Sequence, residues 1–169
     1  MHDQVIISTG QDWNLRRLHR ADPELALGFD PGHYFDYAIE SDIFFLPRTM
    51  GELYRHLRDF FIIEIDGKVV ACGALEIFTE DLGEVRSLVV DEAYERRGLG
   101  RMMVERVIQE ARTIGLKRLM ALTYVPTFFH KLGFETVAMD TLPEKVWGIC
   151  VKCYKYNNCD ETAVVLELK

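Results

Sequence analysis

The chain has no apolar run long enough to span a bilayer, no low-complexity tract, no internal repeat and no linker rich in Pro, Gly and Ser. A helical membrane protein, a repeat array and a pair of loosely tethered domains are therefore not expected. Its 169 residues suffice for one domain, over residues 1–169, with a real core. Basic charge is also short: 20 Lys and Arg stand against 27 Asp and Glu, a net charge of −7 at pH 7. That balance argues against a nucleic-acid backbone or an anionic membrane surface as the main partner, so the arginines must serve something small. Cysteine is limited to 4 positions, three of them close to the C-terminus, and the opening Met1-His2-Asp3-Gln4 lacks the basic lead and apolar run of an export signal. A reducing cytoplasmic setting without disulfides is the expectation.

What is present is concentrated between Leu82 and Arg112. An apolar strand, Glu84-Val85-Arg86-Ser87-Leu88-Val89-Val90, runs through the turn Tyr94-Glu95-Arg96-Arg97-Gly98-Leu99-Gly100-Arg101 into an amphipathic helix. The helical period buries Leu99, Met103, Val104, Val107, Ile108 and Ala111. A helix start directs backbone N–H groups and a positive dipole end at whatever lies before it. Glycines let that backbone approach an anion, and Arg96, Arg97 and Arg101 add positive charge. Phosphate is the natural guest.

Elsewhere, strand-like and helix-like segments alternate. Val5–Ser8 reads as a strand, Asp12–Arg20 as a helix, Leu25–Phe29 as a weaker apolar run, and Thr49–Leu57 as a helix with a Thr49/Glu52 capping box. Phe60–Ile65 and Lys68–Phe78 flank Asp66-Gly67, the dipeptide of a two-residue hairpin, and Leu82–Val90 adds a third strand. The main helix stops at Gly115. Leu119–Thr123 is a buried strand, Pro126–Leu132 a short helix ended by Gly133, and Glu135–Met139 another strand. Thr141 with Glu144 caps a further helix, and Thr162–Leu168 closes the sheet. The class is α/β (α+β): a mixed, mostly antiparallel central sheet with helices on both faces.

Val89-Val90-Asp91 leading to Arg97-Gly98-Leu99-Gly100, a later strand, and Phe129-His130-Lys131-Leu132-Gly133-Phe134 resemble the core of the GNAT acetyltransferases. The resemblance implies the GNAT fold, with acetyl-CoA as co-substrate and its pyrophosphate on the glycine turn. It spans Phe44 to the end, while residues 1–43 match poorly and residues 142–161 read as a helix and cysteine-rich insertion before the last strand. Leu46-Pro47-Arg48-Thr49, Gly73-Ala74-Leu75, Glu84-Val85-Arg86-Ser87-Leu88, Leu122-Thr123-Tyr124 and Leu142-Pro143-Glu144-Lys145-Val146-Trp147 resemble, more narrowly, the stand-alone N-acetylglutamate synthases. That implies L-glutamate as acceptor at the start of arginine synthesis. Two positions depart from the pattern: the first motif residue, usually Gln or Arg, is Glu95, and the tyrosine that often protonates the departing thiolate falls at Phe129. Tyr124 is the nearest phenol.

Acetyl transfer to an amine needs a neutral amine, a polarised thioester carbonyl and correct placement. Glu84 is the candidate proton acceptor: burial would raise its pKa, and Arg86, two residues on along the same strand face, would lower it. A structural ion pair between the two is the bland alternative. By the resemblance, backbone at Leu88, Val89 and Val90 borders the thioester arm, and Arg96, Arg97, Gly98, Leu99, Gly100 and Arg101 hold the pyrophosphate. Tyr124 is a candidate for returning a proton to the thiolate. The two carboxylates of glutamate suit planar guanidinium groups, so Arg48 and Arg86 are first choices, with Ser87 and Lys145 beside them. Cys150, Cys153 and Cys159 form a C-x2-C-x5-C array, one ligand short of a closed zinc site unless Asp160 or Cys72 completes it, and no metal is expected. Two other readings stand beside glutamate: a GNAT enzyme for another amino acid, small amine or protein N-terminus, and a non-catalytic CoA-binding or cysteine-based redox or metal module. The sequence leaves a homodimer open.

Overall fold

Phe60-Phe61-Ile62-Ile63-Glu64-Ile65 and Val69–Leu75 are almost continuous apolar runs, a pattern that suits strands covered on both faces. The computed structural model, which describes residues 13–17, 55–142 and 159–169, builds them as β2 (Phe60–Ile65) and β3 (Lys68–Ile77). Phe61, Ile62, Ile63 and Val70 are fully buried. Asp66 and Gly67 join the strands with φ of 51° and 75°, the positive angles that an Asp-Gly hairpin supplies at low cost. There follow β4 (Leu82–Val90), the helix α1 (Leu99–Thr113), β5 (Arg118–Thr123), the short helix α2 (Pro126–His130), β6 (Glu135–Thr136) and β7 (Thr162–Glu167).

One expectation is overturned at the start of the described chain. Residues within Asp12–Arg20 form not a helix but a strand, β1 (Trp13–Arg17), antiparallel to β2 from Trp13↔Ile65 to Arg17↔Phe61. Backbone pairing with β2 outweighs a weak helical period there. Leu15 is buried, and the Arg17 guanidinium lies 4.8 Å from the Phe61 ring centroid. The described strands run in the order β1-β2-β3-β4-β5-β7-β6. β4 and β5 are parallel, whereas β5–β7 and β6–β7 are antiparallel, so the sheet is mixed and mostly antiparallel, flanked by helices as the sequence implies.

Contacts divide the chain into two units. The first holds the described residues up to Gly73 together with Ser87–Met103, and the second holds Ala74–Arg86 together with the described residues from Val104. In the first, Gly73 leaves room for Met103: a Cβ there would fall 2.6 Å from the Met103 Cγ. In the second, Leu82, Met120, Leu142, Ala163 and Val165 make a core cluster with Leu122, Val137 and Met139 packed against it. Along α1, the residues the helical period assigns to the core are all buried: Leu99, Met103, Val104, Val107, Ile108 and Ala111. The helix ends as Gly115, φ 86°, donates to the Arg112 carbonyl and Leu116 to that of Ala111, a Schellman motif.

Two shorter differences concern the C-terminal half. The strand expected over Glu135–Met139 is only Glu135–Thr136, because after the Val137 N–H bonds the Ala163 carbonyl the chain tightens into a 3-10 turn at Met139–Thr141. Thr141, expected to cap a further helix, closes that turn, its hydroxyl donating to the Ala138 carbonyl. The rest of that helix, the Thr49/Glu52 capping box, Val5–Ser8 and Leu25–Phe29 lie outside the described residues, as do the candidates Arg48, Lys145, Cys150 and Cys153.

Candidate active site

The glycine turn is held from its first residue. As β4 ends, the Asp91 N–H bonds the Val70 carbonyl at 2.8 Å, and the Asp91 carboxylate accepts from the Ala93 N–H at 3.0 Å, capping a 3-10 turn over Glu92–Tyr94. Lys68 reaches Asp91 with its Nζ 2.8 Å from Oδ2. The hydrogen bond to Lys68 holds the Asp91 carboxyl below its ordinary value, and the same bond raises the Lys68 ammonium. Beyond it the chain turns through two left-handed residues, Arg96 at φ 59° and Gly98 at φ 83°. A Cβ on Gly98 would meet nothing within 4 Å, so glycine serves the backbone angle and open access rather than packing.

The Gly98 carbonyl accepts the first helical bond, from the Met102 N–H at 3.0 Å. The amides of Leu99 and Gly100 therefore precede the intrahelical ladder, at the positive end of a helix of 15 residues. Leu99 is buried and anchors this start, while Arg96, Arg97 and Arg101 are exposed around it. Such a turn is suited to an anion. The Arg97 guanidinium lies 4.9 Å from the Tyr94 ring centroid and donates to the Ala93 carbonyl at 3.2 Å, and the Lys68 Nζ lies 5.5 Å from the same centroid. Sequence reasoning missed this brace of Lys68, Asp91 and Tyr94. Its one legible sign was an acidic residue placed to cap a turn.

Strand β4 carries the second group of candidates. Its parallel register with β5 runs from Leu82↔Arg118 to Glu84↔Met120 and no further. Three residues on, Ser87 has φ 52°, a left-handed residue inside a strand and the mark of a bulge. The buried Cys72 thiol donates to the Ser87 carbonyl at 3.3 Å, and burial pushes that thiol up to about 12. Leu88, Val89 and Val90 follow the bulge half-buried.

Glu84 is 3% exposed, a rare burial for a carboxylate. Its Oε2 lies 3.5 Å from the Arg86 Nε, and the Arg86 Nη1 donates to Glu76 on β3. The structure thus brings together the expected pair and adds Glu76, which no sequence motif had marked. Tyr124 is exposed at the end of β5, its hydroxyl donating to Asp160 at 2.9 Å. Phe129 is core, packed edge-on against Phe128 and Phe134 with centroids 5.1 and 5.2 Å away. Among the described residues no three His, Cys, Asp or Glu side chains gather as metal ligands, and no helix is long and apolar enough to cross a membrane.

Residues 15–134 match the model of the acetyltransferase (GNAT) family. An N-acetyltransferase of Chlorobaculum tepidum is 34% identical over 123 residues, which are 73% of this chain and 79% of that protein. The amino-acid acetyltransferase of Mycobacterium tuberculosis is 34% identical over 112 residues, 64% of each chain. The crystal structure of N-acetylglutamate synthase from Neisseria gonorrhoeae complexed with coenzyme A and N-acetyl-glutamate has a TM-score of 0.75 and 31% identity. It covers 93% of this chain, but the chain spans only 35% of that longer protein. Acetyl-CoA is the co-substrate of the family. With a glycine turn at a helix start, a mixed sheet of this order and a family match over most of its length, the chain belongs to the GNAT family of N-acetyltransferases.

Proposed function

We propose that the protein transfers the acetyl group of acetyl-CoA to the α-amine of L-glutamate, in the cytoplasm, as the entry step of arginine synthesis. The observation that carries this reading is the buried Glu84 beside Arg86 on β4, ahead of the Ser87 bulge: a proton acceptor and a carboxylate-seeking cation within 3.5 Å. Likeness to amino-acid acetyltransferases and to an N-acetylglutamate synthase supports the acceptor class.

In this reading Glu84 takes a proton from the acceptor's ammonium, directly or through water, and the freed electron pair of nitrogen attacks the thioester carbon. Backbone N–H near Leu88 and Val89 stabilises charge on the carbonyl oxygen, with Val90 beside the thioester arm. Gly98, Leu99 and Gly100, with Arg96, Arg97 and Arg101, hold the pyrophosphate. As the tetrahedral adduct collapses to the amide the C–S bond breaks, nitrogen gives up its second proton to water, and the leaving thiolate takes up a proton from Tyr124 or water. Arg48, Arg86, Ser87 and Lys145 receive the acceptor's carboxylates.

The test is thiol release from acetyl-CoA across the amino acids. Glutamate is expected to give the highest kcat/KM; Glu84→Gln is expected to abolish turnover, and Arg48→Ala to raise the glutamate KM with a smaller change in kcat. A higher kcat/KM with another amine transfers the same chemistry to that acceptor, and CoA binding without release for any amine defeats the catalytic reading.

A further inference from the structure

Arg86 divides its guanidinium unequally between two carboxylates. Its Nη1 makes a direct, charge-assisted hydrogen bond to Glu76, whereas its Nε only approaches the Glu84 Oε2, at 3.5 Å. All three side chains are largely removed from solvent, with exposures of 16% for Arg86, 22% for Glu76 and 4% for Glu84. Arg86 and Glu84 are two residues apart on β4, so the guanidinium could settle on Glu84 with both ends of its fork. A carboxylate so engaged is held in its charged form and is a poor base. Glu76 comes from the neighbouring strand β3 and takes the closer contact instead.

We propose that Glu76 is a positioning residue for acetyl transfer: it draws Arg86 aside and keeps the guanidinium from saturating the Glu84 carboxylate. Glu84 then accepts the ammonium proton while Arg86 stays close enough to receive a carboxylate of the acceptor. This rests on Glu84 as the base. Removing the Glu76 charge lets Arg86 turn onto Glu84, and the chemical step slows while cofactor binding does not.

The experiment is a double-mutant cycle in kcat, at saturating acetyl-CoA and saturating amine, with the amino acid that gives the fastest thiol release. Glu76→Gln is expected to lower kcat by about tenfold with an unchanged KM for acetyl-CoA. Adding Arg86→Gln, which removes the cation that would settle on Glu84, is expected to recover kcat by about fivefold over Glu76→Gln alone, at the expense of a higher KM for the acceptor. A purely structural Glu76 predicts the reverse, because a second buried polar loss makes the protein worse; a double variant no faster than the single one overturns the proposal. If Glu76→Gln does not fold, Glu76→Met, which removes the charge at nearly the same side-chain volume, carries the same comparison with and without Arg86→Gln. Glu84→Gln separates the two layers. Unchanged kcat there defeats the base assignment itself, whereas loss there with no loss in Glu76→Gln defeats only the role of Glu76.

Discussion

Lys68 and Asp91, at opposite ends of the β3–β4 hairpin sequence, meet with Nζ 2.8 Å from Oδ2 where β4 gives way to the glycine turn. The same carboxylate holds the Ala93 N–H, so one side chain fixes both the direction in which the chain leaves the sheet and the first turn beyond it. The likeness of this region to anion-binding helix starts thus depends on residues that do not themselves belong to the turn.

Asp91→Asn keeps an acceptor for Ala93 but loses the ion pair with Lys68. Because Lys68 is exposed, the effect on stability is expected to stay under about 1 kcal/mol, while the KM for acetyl-CoA rises by about threefold and that for the acceptor does not change. The pH dependence has a definite sign. The Asp91 carboxyl is lowered from 3.8, so its contribution is complete above that value and is lost as pH falls through the folded-state value. The Lys68 ammonium is raised from 10.5, so its contribution is complete below that value and is lost as pH rises beyond it. Urea midpoints of wild type and variant should therefore differ at neutral pH and converge in acid.

Gly98→Ala meets no steric neighbour, since the space around its Cβ is open, yet φ 83° is a conformation that alanine adopts at a cost of about 1–2 kcal/mol. The chain is expected to relieve that strain by changing the turn, and the amides of Leu99 and Gly100 then lose their common aim. Calorimetry should show CoA binding weakened by at least about tenfold, equivalent to ~1.4 kcal/mol, with thermal unfolding moved by only a few degrees, about as that strain implies.

The buried Cys72 thiol is raised from 9.0 to about 12, chiefly by desolvation. Only the thiolate reacts readily with alkylating agents, so at pH 8 native Cys72 should stay unmodified while exposed Cys159 is labelled. Peptide mass spectrometry with and without denaturant distinguishes the two sites. The folded chain retains a proton that the unfolded chain gives up above pH 9, so this contribution to stability is complete below 9 and drains away as pH rises toward 12.

These features differ in how far they could be read from residues alone. The helix α1 was legible because Leu99, Met103, Val104, Val107, Ile108 and Ala111 repeat at the helical period and Gly115 supplies the left-handed stop. The hairpin at Asp66-Gly67 was legible for the same local reason, a turn that demands those residues. Trp13–Arg17 was misread because its state is decided by β2, an element more than forty residues away, and not by its own pattern. The Ser87 bulge had no glycine to announce it, and Glu76 became visible only when β3 and β4 placed it against Arg86. Chemistry written in local motifs was read; chemistry made by strand pairing was not.

Gly83 offers a test of how tightly the base is seated. It immediately precedes Glu84 and pairs with Leu119 on β5, and a Cβ there would fall 2.7 Å from the Leu116 Cδ1, 3.0 Å from the Leu75 Cδ1 and 3.2 Å from the Glu76 carbonyl oxygen. Leu116 has little freedom to yield, since it is buried and its N–H closes the Schellman motif on the Ala111 carbonyl. The Glu76 oxygen is backbone and yields still less. Gly83→Ala is thus expected to cost about 1–3 kcal/mol, seen as a fall of ~2–10 °C in Tm for a chain of this size. Because the strain is relieved by shifting β4 at the residue before Glu84, kcat should fall with it, while CoA binding at the glycine turn holds. A variant as stable and as active as wild type would mean that the strands open readily at this point, and that Glu84 is held less firmly than its burial implies.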